Sequence, residues 1–236
     1  MWIDDQILKY FTRPLCIDTF VPDATTVVLG SGNEESSEVN SEACANSGVP
    51  VLRRYGGGGT VVLYSGCVVL SVGCWVKDQF NNTRYFRAIN NAVINSLAVC
   101  WPVFSQLNQA GISDIVMGDK KIAGTSLFRS RNYLLYQASI LVHLDSDLIE
   151  KLLSHPTKEP DYRKKRGHRD FLTSLSEIDR SVGSSVEVMG VLSNVFESKL
   201  KLELGDHLIE PVPSQMQALV ARLERSAAQA SVSKPT

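Results

Sequence analysis

The segment VLRRYGGGGTVVLYSG (51–66) places two arginines immediately before four consecutive glycines. Glycine has no Cβ, so the backbone N–H groups of such a loop can approach a phosphate or a carboxylate to hydrogen-bonding distance. The arginines add planar donors that stay charged. The loop is not a Walker loop, because no Lys-Ser/Thr follows, and not a dinucleotide fingerprint, because the glycines are contiguous. Taken alone, it fits an anion-binding loop and a permissive surface turn equally well.

A second segment, SDIVMGDKKIAGTSLFR (113–129), carries two lysines at a predicted turn and a Gly-Thr-Ser run behind them. The Gly-Asp-Lys-Lys stretch has the composition of a hairpin turn between two short strands. Taken alone, the segment is better explained as a solvated hairpin than as a functional site.

The elements that must position these segments alternate between strands and helices. Strands are predicted over 25–33, 49–54, 60–64 and 68–76, the last two as neighbours hinged at Ser65-Gly66. Short strands are also predicted over 112–144. Strands outnumber helices in the middle of the chain and helices gather late, so the predicted fold class is α+β.

A helix is predicted over 83–99, where apolar residues recur at helical spacing before Pro102. Further helices are predicted over 36–46, 184–200 and 213–226. Asp145 is a predicted N-cap of a helix that runs to Leu153. Residues 155–171 are polar and contain prolines, which predicts a surface loop, and the last residues are expected to fray. We expect one main domain over 1–181 and a C-terminal helical extension, packed on the same domain, over 182–236.

Composition excludes several classes of protein. Apolar residues make up 44% and charged residues 21% of the chain, as in a globular protein with a sizeable core. The net charge of -1 gives no general attraction to nucleic acid or to an anionic membrane surface. No secretory signal is predicted, so we expect a cytoplasmic protein with reduced thiols. Neither the five cysteines nor the four histidines have the spacing of a metal site.

Together, the two segments resemble the lipoate-protein ligase family, the cofactor transferases related to biotin ligases. The family's Arg-Arg-x-x-Gly-Gly-Gly-x-Val loop is matched by residues 53–61. Its Asp-hydrophobic-hydrophobic stretch and the following Gly-x-Lys-hydrophobic-small-Gly-Ser run are similar to residues 114–116 and 118–126. The strand VVLGSGN (27–33) also resembles a family strand. The resemblance covers about residues 1–150, and the two motifs in this order are far more specific than either alone.

This resemblance implies a biotin/lipoate ligase-type catalytic domain, with a central mixed or antiparallel sheet flanked by helices. It implies an enzyme that joins lipoate or octanoate to ATP, accompanied by Mg²⁺, as an acyl-adenylate. The acyl group then passes to a lysine of an acceptor lipoyl-domain protein. Because the carboxylate and the α-phosphate repel each other, positioned cations and backbone donors would lower the barrier.

The resemblance also implies the residues of the site. Lys121 is the expected catalytic residue and would bridge the acyl carbonyl and phosphate oxygens. Asp114 is expected to orient Lys121 or the acceptor amine, and Arg54 to contact the adenylate or pyrophosphate region. The other expected substrate- and nucleotide-binding residues are Arg53, Gly57, Gly58, Gly59, Thr60, Val61, Val62, Gly124 and Thr125, with an apolar slot for the lipoyl tail around Val27, Val69 and Val72.

Two departures from the family pattern leave alternatives open. Leu63-Tyr64 stands where family ligases usually have His-Asp, so a non-catalytic acyl-binding homologue is one alternative. Many ligases continue into a C-terminal accessory domain for which this chain leaves no room. We therefore expect either a separate accessory subunit or an acyl donor that is already activated.

A related octanoyltransferase would need a cysteine nucleophile. Cys67 and Cys74 lie on a predicted buried strand, where inert thiols are expected. The basic run RKKRGHR (163–169) lacks the interleaved aromatic residues of single-strand binders. A solvated loop, a docking patch for an acidic acceptor or a lid explains it better than a nucleic-acid site.

Overall fold

The structure, a computed structural model, describes residues 13–208, and two sheets form its framework. The larger sheet has six antiparallel strands in the order β1-β5-β9-β8-β7-β6. Its strands are β1 (Leu15–Phe20), β5 (Cys67–Trp75), β6 (Asn108–Ala110), β7 (Asp114–Met117), β8 (Lys120–Ser130) and β9 (Tyr133–Leu141).

The smaller sheet has three strands in the order β3-β2-β4, namely β2 (Thr26–Leu29), β3 (Val51–Arg53) and β4 (Val61–Leu63). β2 runs parallel to β3 and antiparallel to β4. The prediction that 60–64 and 68–76 form neighbouring strands is therefore wrong, since β4 and β5 belong to different sheets. The chain turns between them at Tyr64, whose hydroxyl donates to the His143 carbonyl at 2.7 Å and accepts from the Asp145 N–H at 2.9 Å.

Two long helices cover one face of the larger sheet. They are α3 (Asn82–Cys100) and α7 (Ser185–Leu204), which match the predicted helices over 83–99 and 184–200. Their buried residues form one core with the even-numbered residues of β5, such as Val68, Leu70 and Val72. The pattern follows from the alternation of side chains on a strand, which sends every second residue to the helical face.

Five shorter helices and three 3₁₀ turns complete the secondary structure of the described residues besides the strands. They are α1 (Glu35–Glu38), α2 (Ser41–Asn46), α4 (Ser146–Leu152), α5 (His168–Phe171) and α6 (Leu175–Ile178), with 3₁₀ turns at Pro102–Gln106, Asp161–Arg163 and Gly205–His207. The single helix predicted over 36–46 is wrong, because Asn40 interrupts it and accepts from the Ala43 N–H at 3.1 Å as the N-cap of α2. Asp145 caps α4 as predicted.

The arrangement confirms an α+β fold with antiparallel and mixed sheets flanked by helices. Residues Val182 to Leu204 contribute to the same core as the large sheet, while the boundary between 181 and 182 stays a prediction. The helix predicted over 213–226 and the chain's last residues lie outside the described residues. Within 13–208, no helix has both the length and the apolar character needed to cross a membrane.

Candidate functional site

A cavity of about 1180 Å³ lies where the two sheets meet. Both segments singled out in the sequence reach it, the glycine loop from the small sheet and the lysine segment from the large one. Of the predicted site residues all but Arg53 line this cavity, that is Arg54, Gly57, Gly58, Gly59, Thr60, Val61, Val62, Asp114, Lys121, Gly124 and Thr125.

The glycine loop lies directly on β8, which brings the two segments together. A Cβ placed on Gly56 would be 2.9 Å from the Ser126 Oγ, and one on Gly58 would be 3.4 Å from the Thr125 carbonyl oxygen. Gly58 also has a φ of +92°, a conformation that other residues rarely adopt. The loop therefore needs glycine for close backbone contact as well as for its turn.

Arg54 fixes the shape of the glycine loop through hydrogen bonds to its backbone. Its Nη2 donates to the carbonyls of Gly57 and Gly59, both at 2.7 Å, and its Nη1 donates to the Val28 carbonyl at 3.4 Å. The side chain is buried. Its planar fork suits several carbonyls at once. These bonds give Arg54 a role in loop geometry, and its predicted contact with a nucleotide stays a prediction.

Arg53 points to the opposite side of the loop and does not line the cavity. Its Nη1 donates to the carbonyls of Gly30 at 3.0 Å and Asn33 at 2.6 Å. Arg53 thus braces the turn that follows β2. Arg54 therefore supports the glycine loop, and Arg53 supports the turn beside it.

Lys121 extends across Gly124 towards Asp114. Its Nζ lies 2.8 Å from the Asp114 Oδ1, and a Cβ on Gly124 would come within 3.2 Å of that Nζ. The side chains of Lys121 and Asp114 are 22% and 16% exposed, so the ion pair is only partly solvated. The other Asp114 oxygen, Oδ2, accepts from the Tyr162 hydroxyl at 2.7 Å. The arrangement presents a fixed ammonium group to the cavity.

A carboxylate that sequence reasoning missed lies beneath the glycine loop. Glu38 is only 5% exposed, and its Oε2 accepts from the Thr60 Oγ1 at 2.6 Å and from the Asn33 Nδ2 at 2.8 Å. Asn33 donates as well to the Gly58 carbonyl at 3.1 Å. This network fixes Thr60 and the loop tip. No local spacing indicates it, because its members come from three separate elements.

The apolar part of the cavity differs from the predicted slot. Val69 lines it as expected, but Val27 and Val72 do not, because they lie on the opposite faces of β2 and β5. Val28 takes the place of Val27, since alternate residues of a strand face opposite sides. The aliphatic lining consists of Val28, Val61, Val62, Leu63, Val69, Ile112, Ile122, Leu127, Ala138, Leu141, Ile149, Leu153 and Leu172.

The departure at Leu63-Tyr64 has a clear structural outcome. Leu63 lines the cavity beside Val28 and Val69 and adds apolar surface there. Tyr64 faces away and uses its hydroxyl to tie the end of β4 to the loop before α4. Tyr64 thus anchors the end of β4, the strand that follows the glycine loop.

Residues 155–171, predicted as a surface loop, close one side of the cavity. Arg163 is buried and its guanidinium lies 4.7 Å above the centre of the Phe171 ring. Arg166 donates to the Asp119 Oδ2 at 2.9 Å and ties the segment to the β7–β8 turn. Burial, and then the nearby charges of Arg163, His155 and Lys121, lower the pKa of His168 to about 4, with Glu150 partly opposing. Composition predicted the loop but not these buried cations.

No cysteine is among the described residues that line the cavity. Cys67 and Cys74 are fully buried, and burial raises the pKa of each thiol to about 12. Cys100 is exposed at the end of α3, away from the cavity lining. Within 13–208 there is also no group of three His, Cys, Asp or Glu side chains that could hold a metal ion.

The family model of the lipoyl protein ligase A/B catalytic domain matches residues 3–197. The chain belongs to this family. That match confirms the resemblance inferred from the glycine loop and the lysine segment. It also spans the predicted boundary at 181, because it continues into α7.

Individual members of the family differ in what their names describe. Lipoate-protein ligase A subunit 1 of Thermoplasma acidophilum is 28% identical over 211 residues, which cover 85% of this chain and 78% of the relative. Octanoyltransferase LipM of Brevibacillus brevis is 25% identical over 232 residues, 86% of this chain and 83% of the relative. The inactive lipoate–protein ligase 2 of Plasmodium falciparum is 24% identical over 180 residues, which cover 63% of this chain and 47% of the relative. Family membership alone thus covers ligases, a transferase and an inactive protein.

Solved lipoate-protein ligases share the fold. A structure of the bi-partite lipoate protein ligase and its E2 lipoyl domain from Thermoplasma acidophilum superposes with a TM-score of 0.68 at 23% identity, over 93% of this chain and 84% of that chain. A lipoate-protein ligase A bound with ATP gives a TM-score of 0.66 at 22% identity, over 93% and 86% of the two chains.

Proposed function

We propose that this chain activates lipoate or octanoate with ATP as an acyl-adenylate and transfers the acyl group to a lysine of a lipoyl domain. The observation that carries the proposal is the ammonium group of Lys121, held by Asp114 in a cavity that the glycine loop also lines. A cationic end beside an aliphatic lining suits an apolar acid that must react with a phosphate.

In the first step, a carboxylate oxygen of the acid attacks the α-phosphorus of ATP, and the bond to the β-phosphate breaks to release pyrophosphate. Lys121 would offset the charge of both anions, and loop N–H groups would add fixed donors. In the second step, the acceptor amine attacks the acyl carbonyl, loses its proton and releases AMP. Mg²⁺ would arrive with the nucleotide as part of the substrate.

A thiol-based octanoyl transfer is the second candidate, since the chain resembles an octanoyltransferase. That reaction needs a thiolate within reach of the acyl group. The buried thiols Cys67 and Cys74, with their raised pKa values, argue against it. The adenylate route is therefore favoured by the residues that line the cavity.

Two partners follow from the proposal. The acceptor is a lipoyl-domain protein, as in the archaeal system whose ligase has a similar fold. An accessory subunit is the second, because the Thermoplasma relative is named as one subunit of a ligase. We propose that the accessory subunit assists adenylation by this chain.

The first test is lipoate-dependent exchange of pyrophosphate into ATP by the full chain, with Lys121→Ala and Lys120→Ala compared. We expect exchange to fall at least about 100-fold in Lys121→Ala, because the charge that stabilises the reacting phosphate is lost. Lys120, the exposed neighbour on the same strand, is the matched control and should leave the rate unchanged.

If the wild-type chain shows no exchange, synthetic lipoyl-adenylate and octanoyl carrier protein are supplied in turn with a lipoyl domain. Transfer from the adenylate would indicate that activation needs the accessory subunit. Transfer from the carrier protein alone would contradict the ligase reaction and favour the thiol route.

A further inference from the structure

We propose that Tyr162 is a positioning residue for Lys121, and that it acts through Asp114. The inference rests on the proposed function and deepens it, because it names the contact that fixes the reacting cation. Neither the glycine loop nor the lysine segment contains Tyr162. It comes from the 3₁₀ turn Asp161–Arg163, in the segment that closes the cavity.

The two oxygens of Asp114 are engaged by two different partners. Oδ1 lies 2.8 Å from the Lys121 Nζ, and Oδ2 accepts from the Tyr162 hydroxyl at 2.7 Å. A hydrogen bond from a hydroxyl to a carboxylate is short and strong. Rotation of the carboxylate would break one bond or the other. The hydroxyl therefore fixes the direction in which Asp114 holds the lysine.

The Tyr162 ring has its own support, which does not depend on the hydroxyl. Its centre lies 5.3 Å from that of Phe171. On another side it meets Gly111, where a Cβ would come within 3.3 Å of the Tyr162 Cε1. Burial raises the pKa of Tyr162, and the charge of Asp114 adds to the effect, so the hydroxyl stays protonated and can donate. Removal of the oxygen alone should leave the ring in place.

The same part of the chain also holds the backbone of Lys121. The Thr173 N–H donates to the Lys121 carbonyl at 2.9 Å, just beyond the segment that carries Tyr162. Lys121 is thus fixed at its backbone and, through Asp114, at its charged end. A misplaced charge loses much of its value in a reaction, since an error of about 1 Å can cost about 100-fold in rate. Residues 155–171 and the chain just after them therefore hold Lys121 at two points, its backbone and its ammonium group.

The test is Tyr162→Phe in the full chain, measured by pyrophosphate exchange together with any accessory subunit the wild type requires. We expect kcat to fall about 10-fold while KM for ATP changes less than about twofold, because the lost contact positions the lysine without touching the nucleotide. Tyr136→Phe is the matched control. Its hydroxyl also makes one 2.7 Å bond, to the Asn90 Oδ1, and it lies in the core outside the cavity lining.

A double-mutant cycle with Asp114→Ala separates positioning through Asp114 from a general structural role. If Tyr162 acts through Asp114, Tyr162→Phe should lower kcat in the wild-type background and have no further effect in the Asp114→Ala background. An equal loss in both backgrounds would overturn the proposal, because the hydroxyl would then act by another path.

A binding measurement separates this inference from the proposed function. Calorimetry with a non-reactive acyl-sulfamoyl adenosine, a stable mimic of the adenylate, reports on the site without turnover. We expect the wild type to bind it and Tyr162→Phe to bind it about 10-fold more weakly. Failure of the wild type to bind would overturn the proposed function, and this inference with it. Equal binding and equal kcat in wild type and Tyr162→Phe would overturn the inference alone.

Discussion

At the scale of single residues, Arg54 shows how a charged side chain can support the shape of the glycine loop. Its donors are directed at the loop carbonyls of Gly57 and Gly59 and at the Val28 carbonyl of β2. The Val28 carbonyl is buried, and a buried carbonyl that loses its donor costs about 1–3 kcal/mol. The shape of the glycine loop should therefore depend on the guanidinium and not on positive charge alone.

Arg54→Lys tests this dependence. The variant keeps the charge but loses the planar fork, so we expect the free energy of unfolding to fall by about 1–3 kcal/mol and KM for ATP to rise. Urea denaturation and exchange kinetics measure the two effects. Arg87→Lys, the same change at an exposed position of α3, is the control. Unchanged stability in Arg54→Lys would mean that charge alone holds the loop.

The sequence predicted the cavity-lining residues that lie within the two motifs. It missed Tyr162 and Glu38, which contact those motifs from other parts of the chain. Lys121, Gly124 and the glycine loop were expected because they lie in the two motifs that resemble the family. Tyr162 and Asp114 are 48 residues apart, and Glu38 and Thr60 are 22 apart. Such pairs are created by tertiary contact and leave no periodic or local pattern, which is why only the structure reveals them.

At the scale of elements, the prediction was best where one strong pattern fills a long segment. The apolar spacing of α3 predicted that helix, and the predicted helix over 184–200 corresponds to α7; both have a continuous buried face. The predicted pairing of β4 with β5 was wrong, because a three-residue apolar strand can join either sheet, and β4 pairs with β2. The sequence also predicted the wrong residue of β2 for the cavity lining. Val27 and Val28 are equally apolar, and only Val28 faces the cavity.

His168, in residues 155–171, should make the stability of the fold depend on pH. The folded pKa of His168 is lowered to about 4 by burial and nearby cations, whereas an unfolded histidine titrates near 6.5. Between these values the unfolded state binds more protons, so stability falls as pH drops from about 6.5 to about 4. The ring is partly solvated, and screening reduces the effect. We expect the wild type to lose about 1 kcal/mol more than His168→Gln between pH 7 and pH 5.

Guanidinium denaturation of both proteins at the two pH values measures this difference. His207→Gln is the control, because that histidine lies in the Gly205–His207 turn, away from the cavity lining. If His168→Gln loses as much stability on acidification as the wild type does, folding does not lower the pKa of His168, and burial and the nearby cations do not act on the ring as expected.

At the scale of the whole molecule, the late helix α7 completes the core instead of adding a separate unit. Its buried residues, among them Val188, Leu192 and Phe196, share one cluster with the large sheet and α3. Among the described residues, α3 and α7 form the layer of long helices that covers one face of the larger sheet. A helix in this layer should unfold together with the sheet. The cavity on the other face would then depend on α7 for its rigidity.

Leu192→Ala tests whether the molecule behaves in this way. Leu192 is fully buried, so the change should lower the free energy of unfolding by about 2–5 kcal/mol. Circular dichroism, which follows the helices, and tryptophan fluorescence, to which Trp75 on β5 contributes together with the other two tryptophans, should show one shared transition. Leu202→Ala removes the same atoms from the same helix at a position that is 79% exposed, and it should change stability by less than about 0.5 kcal/mol. Two separated transitions in Leu192→Ala would show instead that α7 unfolds independently of the sheet that carries the site.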